Sequence, residues 1–443
     1  MKALVIASLA LFSSCSISAA ETDLIKQGEY LARAGDCVAC HTAKGGKPFA
    51  GGLPMETPIG VIYSTNITPD KTGLGDYSFE DFDKAVRHGV AKNGSTLYPA
   101  MPYPSYARVS DSDMQALYAY FMKGVEPVAQ ENKDSDIPWP LSMRWPLAAW
   151  RWMFAPAVEA HQPQAAADPV IDRGAYLVEG LGHCGACHTP RALTMQEKAL
   201  SATDGSAFLS GSAPLEGWIA KSLRGDHKDG LGSWSEEQLV QFLKTGRSDR
   251  SAVFGGMSDV VVHSMQYMSE DDLTAIARYL KSLPAVDPKD QPHQYDKQVA
   301  QALWKGDDSK PGASVYIDNC AACHRTDGKS NRIVFPALPG NPTVLSDDPT
   351  SLIRVVLAGS RLPSTKTAPS DLGMPGFAWR LSDDETAQLV TFVRQSWGNN
   401  AAAATASDVK KVRGSIDEQE LKAGNVTSLE EMRKITGAEQ KVH

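Results

Sequence analysis

Three stretches of the chain share one pattern of polar and apolar positions. Each begins with a serine, continues with acidic residues, and then places apolar side chains at helical spacing; the serines are Ser110, Ser269 and Ser382. A carboxylate follows each serine by three residues, which is the signature of a capped helix start. The pattern predicts three amphipathic helices, whose buried faces are Leu117, Tyr118 and Phe121, then Leu273, Ile276 and Leu280, then Leu389, Phe392 and Val393.

Two further predicted helices precede each of these, so the pattern repeats as a unit. A short helix comes first, around residues 27–31, 173–177 and 312–316. A helix that ends at a glycine comes next, at residues 78–89, 233–246 and 348–359. The repetition predicts three small helical domains, at residues 24–127, 169–285 and 307–398.

Composition and charge agree with a folded, exported protein. The chain has 443 residues with 42% apolar and 22% charged side chains, which excludes a disordered chain or a coiled coil. The formal net charge of −8 argues against binding to nucleic acid. Residues 1–20 have a charged start, an apolar stretch and small residues before Glu21, which predicts a cleaved signal peptide. Cys15 leaves open the alternative of a lipid anchor.

The cysteines identify the chemistry. Beyond Cys15, six cysteines form three pairs, each spaced by two residues and followed at once by a histidine. This CxxCH pattern attaches c-type haem, because the two thiols bond to the vinyl groups and the histidine becomes the proximal iron ligand. A redox dithiol or half of a zinc site is the alternative for a single pair, and three copies make either unfavourable. The sequence predicts three covalent haems c held by Cys37 and Cys40 with His41, by Cys184 and Cys187 with His188, and by Cys320 and Cys323 with His324.

A methionine is the usual sixth iron ligand in an electron-transfer cytochrome. Met101 lies in a proline-rich loop and Met374 lies beside glycine and proline, and both come directly before the last helix of their domain. In the second domain Met257 follows two glycines, with Met268 and Met265 as the alternatives. We therefore predict Met101, Met257 and Met374 as distal ligands, in an all-α fold of three tandem class I cytochrome c domains.

The segments outside the domains are less regular. Residues 128–168 form a linker in which Trp139, Trp145, Trp150 and Trp152 accompany Arg144 and Arg151. Such a composition suits packing against the chain's own domains, docking to a partner, or contact with a membrane surface. Residues 286–306 form a polar linker. We expect the polar tail, residues 399–443, to be partly disordered or laid over a partner.

Several local stretches carry a resemblance to a known family. They read GEYLARAGDC at residues 28–37, GGLPMETPIG at 51–60, YSTNITPD at 63–70 and LYPAMPYPSY at 97–106. With them, residues 24–398 resemble the triheme cytochrome c subunit of bacterial membrane-bound dehydrogenases, of the gluconate 2-dehydrogenase and quinohaemoprotein alcohol dehydrogenase types.

The resemblance implies a function. It implies a periplasmic subunit at the cytoplasmic membrane that passes electrons from a catalytic subunit, a flavoprotein or a pyrroloquinoline quinone (PQQ) protein, to ubiquinone. We favour the flavin-dependent gluconate 2-dehydrogenase type over the alcohol dehydrogenase type. The chain has no glycine motif for binding flavin, so it is expected not to oxidise a substrate itself. A multihaem peroxidase and a free periplasmic electron shuttle are the remaining alternatives.

Overall fold

The computed structural model describes residues 21–163, 168–331 and 333–424. The chain divides into two compact units. The first comprises residues up to 162 together with 179–183, and the second comprises residues 163–178 together with 184 onward. The predicted signal peptide, residues 1–20, lies outside the described residues.

The first unit is mostly helical, with one small hairpin. Residues 21–34 form its opening helix. The further helices are Cys37–Cys40, Phe79–His88, Tyr103–Tyr106, Asp111–Ala119, its continuation Tyr120–Gly124 with π-type turns, and Trp145–Phe154. Strands Pro54–Thr57 and Gly60–Tyr63 pair antiparallel, with Met55 opposite Ile62. The all-α expectation is therefore corrected to a mostly helical fold that includes short strand pairs.

The second unit holds the other two CxxCH segments. Helix Pro169–Ala175 continues as Tyr176–Leu181 with a kink at Gly180. The helices that follow in the second predicted domain are Gly185–His188, Ala202–Asp204, Glu236–Thr245, Gly256–His263, Met265–Tyr267 and Glu270–Ser282. Those toward the C-terminus are Gln298–Trp304, Ala313–Asn319, Ala321–His324, Pro342–Leu345, Thr350–Ala358, Asp383–Arg394, Ala406–Ser415 and Glu418–Gly424. Strands Ser360–Arg361 and Gly373–Met374 pair antiparallel.

Local sequence signals explain where the main helices begin and end. The hydroxyls of Ser110, Ser269 and Ser382 each accept a hydrogen bond from the backbone N–H three residues on, as the capping pattern predicts. The middle helices Phe79–His88, Glu236–Thr245 and Thr350–Ala358 each end at a glycine with positive φ. A glycine adopts this backbone conformation without steric cost, so it terminates the helix.

One glycine in each repeat lets the first and last helices cross closely. A Cβ atom added to Gly28 would lie 1.9 Å from the carbonyl oxygen of Ala116. The same construction at Gly174 gives 2.0 Å to the oxygen of Ala275, and at Gly312 it gives 2.3 Å to that of Gln388. No larger residue fits these crossings. Each glycine stands eight to ten residues before the first cysteine of a CxxCH segment, so the crossing holds the helix that leads to this segment against the last helix.

The polar tail is the clearest departure from expectation. Helix Ala406–Ser415 buries Val409 and Val412, and Ile416 after it, in the same core as Ile353 and Leu389. Thr405 caps this helix by accepting from the N–H of Asp408. Residues 399–421, which were predicted to lie outside the third domain, therefore include a helix that packs on the core of the second unit. Residues 425–443 lie outside the described residues.

Candidate functional site

The three CxxCH segments adopt similar local structures. The first pair lies within the turn Cys37–Cys40, and in the other two the first cysteine caps the N-terminus of the turn that holds the second, Gly185–His188 and Ala321–His324. None of the six cysteines forms a disulfide, and the second of each pair is exposed. Two thiols on one exposed turn suit attachment along one edge of a flat macrocycle.

A hydrogen bond to each proximal histidine determines which ring nitrogen is free. Nδ1 of His41 lies 2.7 Å from the carbonyl oxygen of Thr65, and Nδ1 of His188 lies 2.7 Å from that of Lys221. A carbonyl only accepts, so each Nδ1 carries the proton and each Nε2 keeps its lone pair for a metal. Burial lowers the pKa of both histidines, which favours the neutral form that binds iron.

The third histidine has a similar environment with one added partner. Nδ1 of His324 lies 3.1 Å from the hydroxyl of Ser330 and 3.2 Å from the carbonyl oxygen of Pro336. That hydroxyl itself donates to the Pro336 oxygen. Burial lowers the pKa of His324 as well. Sequence reasoning missed Thr65, Lys221, Pro336 and Ser330, because a backbone carbonyl acceptor has no residue-type signal.

The alternatives for the cysteine pairs find no support in the structure. Burial raises the pKa of the Cys37, Cys184 and Cys320 thiols to about 12, whereas reactive dithiols have thiols of lowered pKa. Within residues 21–163, 168–331 and 333–424, no group of three or more His, Cys, Asp and Glu side chains is placed to hold a metal ion. A zinc site therefore lacks its ligand set there.

Each predicted distal methionine stands at the end of a similar loop. After the glycine that ends each middle helix, the chain folds back on itself. The two sides are joined by an antiparallel backbone bridge in the first two loops, Val90 with Thr96 and Arg247 with Ala252, and by the strand pair Ser360–Arg361 with Gly373–Met374 in the third. We call these loops, residues 89–101, 246–257 and 359–374, the first, second and third distal hairpins. Met101, Met257 and Met374 close them, and all three side chains are half-buried.

The second domain offers the competing methionines, and their environments differ from that of Met257. Met265 and Met268 are 6% and 3% exposed and belong to the apolar core. Met257 lies in the first turn of helix Gly256–His263, where the second distal hairpin ends. In the first domain, His88 lies in the last turn of helix Phe79–His88. The choice of the three methionines as ligands stays a prediction.

Comparison with known proteins gives the family. Residues 25–124 and 309–397 match the cytochrome c family. The chain is 65% identical to the gluconate 2-dehydrogenase cytochrome c subunit of Pantoea cypripedii, over 93% of this chain and 94% of that protein. It is 54% identical to the cytochrome c subunit of the quinone alcohol dehydrogenase of Gluconobacter oxydans, over 91% and 84%. It is 38% identical to the fructose dehydrogenase cytochrome subunit of Gluconobacter japonicus, over 88% and 82%.

The chain belongs to the dehydrogenase cytochrome c subunits. The resemblance stated from the sequence is therefore confirmed, and the chain is an electron-transfer subunit of a dehydrogenase. The cytochrome c family match does not extend over residues 125–308, yet the predicted second domain has the same CxxCH turn, glycine crossing and distal hairpin as the other two predicted domains. Three copies of one arrangement are thus present in this cytochrome subunit.

The donor set in each copy fits haem c. The cysteines, which form no disulfide, and the histidine Nε2 are the groups that the cofactor needs, and a methionine stands at the end of the loop that follows. When bound, haem iron supplies one-electron chemistry between its ferric and ferrous states. Within the part of the chain that the structure describes, no helix has the length and apolar character of a membrane span.

Proposed function

We propose that the chain is the triheme subunit of a flavin-dependent gluconate 2-dehydrogenase complex and passes electrons from the flavoprotein to ubiquinone. The observation that carries the proposal is the 65% identity, over nearly the whole of both chains, to a gluconate 2-dehydrogenase cytochrome c subunit. The alternative is the corresponding subunit of a PQQ-dependent alcohol dehydrogenase, which the 57% identity to the subunit of Komagataeibacter europaeus favours.

The proposed ligands give each domain one complete site. In this proposal the three haems are bonded covalently to Cys37 and Cys40, to Cys184 and Cys187, and to Cys320 and Cys323. The axial ligands of the three irons are His41 with Met101, His188 with Met257, and His324 with Met374. A thioether ligand raises the reduction potential of the iron, and full axial ligation leaves no open position for peroxide. Three six-coordinate sites therefore suit a relay better than a peroxidase.

The partner is tested by purifying the intact complex from native membranes. We expect a flavoprotein to co-purify with this chain, three haems per chain by the pyridine haemochrome assay, and gluconate-dependent reduction of a soluble ubiquinone analogue. Recovery of a PQQ protein with ethanol-dependent activity would instead assign the chain to the alcohol dehydrogenase type. Recovery of the chain alone, with no dehydrogenase bound, would support the free shuttle instead.

We also propose a periplasmic location, in which the segment of residues 139–153 attaches the complex to the cytoplasmic membrane. Helix Trp145–Phe154 turns an uncharged stripe outward, made of Trp145, Ala148, Ala149, Trp152 and Met153. Exposure within the segment is 80% for Trp139, 71% for Trp145, 84% for Trp152 and 57% for Met153. Tryptophan on a helix that lies flat suits the headgroup level of a bilayer.

The opposite side of that helix packs on its own domain. The ring of Trp150 meets the ring of Tyr103 edge to face, with 6.5 Å between centroids. The guanidinium of Arg151 donates to the carbonyl oxygen of His88, and that of Arg144 lies 4.3 Å from the centre of the Tyr98 ring. Both arginines are therefore engaged within the first unit, so we propose that apolar contact, and not attraction to anionic lipid, drives attachment.

A further inference from the structure

The second and third distal hairpins contact one another within the second unit. The ring of Pro363 lies where a side chain on Gly246 would stand, with Cγ 2.6 Å from the position of an added Cβ. The backbone N–H of Lys366 donates to the side-chain oxygen of Gln266, and its ammonium lies 4.8 Å from the centre of the Tyr267 ring. The third distal hairpin therefore contacts both the start of the second distal hairpin, at Gly246, and the later turn Met265–Tyr267.

Arg247 lies at the centre of these contacts. Its side chain is 6% exposed, although it belongs to the start of the second distal hairpin. Its Nη2 donates to the carbonyl oxygen of Ala368 at 3.1 Å and to the hydroxyl of Ser370 at 3.0 Å. Both acceptors belong to the third distal hairpin. One guanidinium thus joins the loop that carries Met257 to the loop that carries Met374.

The acceptors of this guanidinium are neutral, which matters for the electrostatics. A buried arginine stays charged, and a carbonyl and a hydroxyl do not cancel its charge. Ferric iron has one more positive charge than ferrous iron, so a buried cation nearby opposes oxidation and raises the reduction potential. Arg247 hydrogen-bonds six and four residues ahead of Met374, and loss of its buried charge is expected to lower the reduction potential of an iron held beside either hairpin.

We propose that Arg247 is a positioning residue that holds the second and third distal loops together and raises the reduction potentials of both haems in concert. The proposal rests on the proposed assignment of Met257 and Met374 as iron ligands. Electron transfer between two sites depends on the difference between their potentials. A shared positioning residue keeps that difference nearly constant while both potentials move.

The test measures the three reduction potentials of the full-length holoprotein in Arg247→Met and Arg247→Lys. Single replacements of Met101, Met257 and Met374 by alanine assign each potential to its haem. In Arg247→Met we expect the reduction potentials of the second and third haems to fall together by roughly 59 mV, which corresponds to a tenfold change in a one-electron equilibrium constant. The reduction potential of the first haem should stay unchanged. Arg247→Lys keeps the charge but loses the planar fork, so we expect a smaller fall in the same two potentials.

Two matched arginines serve as controls. Arg361 donates to the carbonyl and carboxylate of Asp371 inside the third distal hairpin, so Arg361→Met should move the third potential alone. Arg278 pairs with Glu236 on the surface, and Arg278→Met should move none. A shift of only one potential in Arg247→Met, or of none, overturns the proposal. If Arg247→Met loses haem, the Arg247→Lys result decides in the same way.

Failure of the ligand assignment has a different signature. Unchanged methionine–iron absorption in Met257→Ala and Met374→Ala would show that other residues ligate those irons. If Met257 and Met374 prove to be the ligands but the second and third reduction potentials do not shift together in the Arg247 variants, only the proposed role of Arg247 is rejected.

Discussion

Each predicted proximal histidine donates its Nδ1 proton to a backbone carbonyl or a neighbouring hydroxyl, and this bond leaves the lone pair of Nε2 available for a metal. The carbonyl acceptors at Thr65 and Lys221 lie 24 and 33 residues beyond their histidines. Such bonds orient the ring and increase its basicity toward iron. The histidines are thus oriented by the surrounding fold.

Met257 is the residue-scale assignment that most needs a measurement. In Met257→Ala we expect the second haem to lose its sixth ligand, because alanine offers no donor atom, and to become high-spin and able to bind carbon monoxide. Its reduction potential should fall, since the axial thioether favours the ferrous state. Absorption spectroscopy of the reduced protein with and without carbon monoxide makes the comparison, with Met268→Ala as the matched control. Carbon monoxide binding in Met268→Ala but not in Met257→Ala would reverse the assignment.

At the residue scale, the sequence predicted which residue types carry the chemistry better than it predicted their geometry. The cysteines and histidines were recognisable because thioether attachment requires fixed types at fixed spacing. The second-domain methionine was harder to choose, because Met257, Met265 and Met268 lie within twelve residues and a methionine packs as readily as it ligates. Burial separates them: Met265 and Met268 belong to the core, and Met257 stays half-buried beside its glycines.

At the scale of helices, the repeated glycine crossing makes a sharp stability prediction. Gly174→Ala forces a methyl group to about 2.0 Å from the backbone oxygen of Ala275, so the two helices must separate. We expect a loss of roughly 3 kcal/mol or more, at the upper end of what overpacking costs. Thermal unfolding of the holoprotein, followed by circular dichroism and haem absorption, gives the measurement.

Gly414 provides the control for that substitution. It is exposed in helix Ala406–Ser415, and an added Cβ would meet nothing within 4 Å. Alanine there should stabilise the helix by about 0.5–1 kcal/mol, because it restricts the unfolded chain and favours helix. If both variants unfold at the same temperature, close helix contact is not what selects glycine at position 174.

Helices were predicted correctly where the capping residues and the apolar periodicity agreed. The packing of a helix was missed where polar residues outnumber the apolar ones. The three serine-capped helices begin at the predicted residues. Helix Ala406–Ser415 lies in the predicted polar tail, and its packing was not predicted because only Val409 and Val412 mark its buried face. Its burial depends on tertiary contacts with Ile353 and Leu389, which no local pattern reveals. The hairpin Pro54–Thr57 with Gly60–Tyr63 was missed for a similar reason, because its strands are too short for a clear alternation.

At the scale of the whole molecule, the proposed membrane attachment depends on one surface of the first unit. The segment of residues 139–153 has exposed tryptophans on one face of a helix whose other face is anchored on the first unit. Its outward stripe is uncharged, and the chain has a net charge of −8. Attachment by this face should therefore depend on buried apolar area, and it should be insensitive to salt.

The double variant Trp145→Ser with Trp152→Ser tests the attachment surface directly. Both side chains point away from the protein, so haem content and thermal stability should stay as in the unaltered chain. Binding of the holoprotein to phosphatidylcholine vesicles should weaken roughly tenfold or more, since two large apolar contacts are lost. Trp150→Ser is the matched control: it removes the packing on Tyr103 and should lower stability while the outward stripe remains. Undiminished vesicle binding by the double variant, together with loss of the dehydrogenase from the purified complex, would show that the stripe docks the catalytic subunit and that lipid contact lies elsewhere.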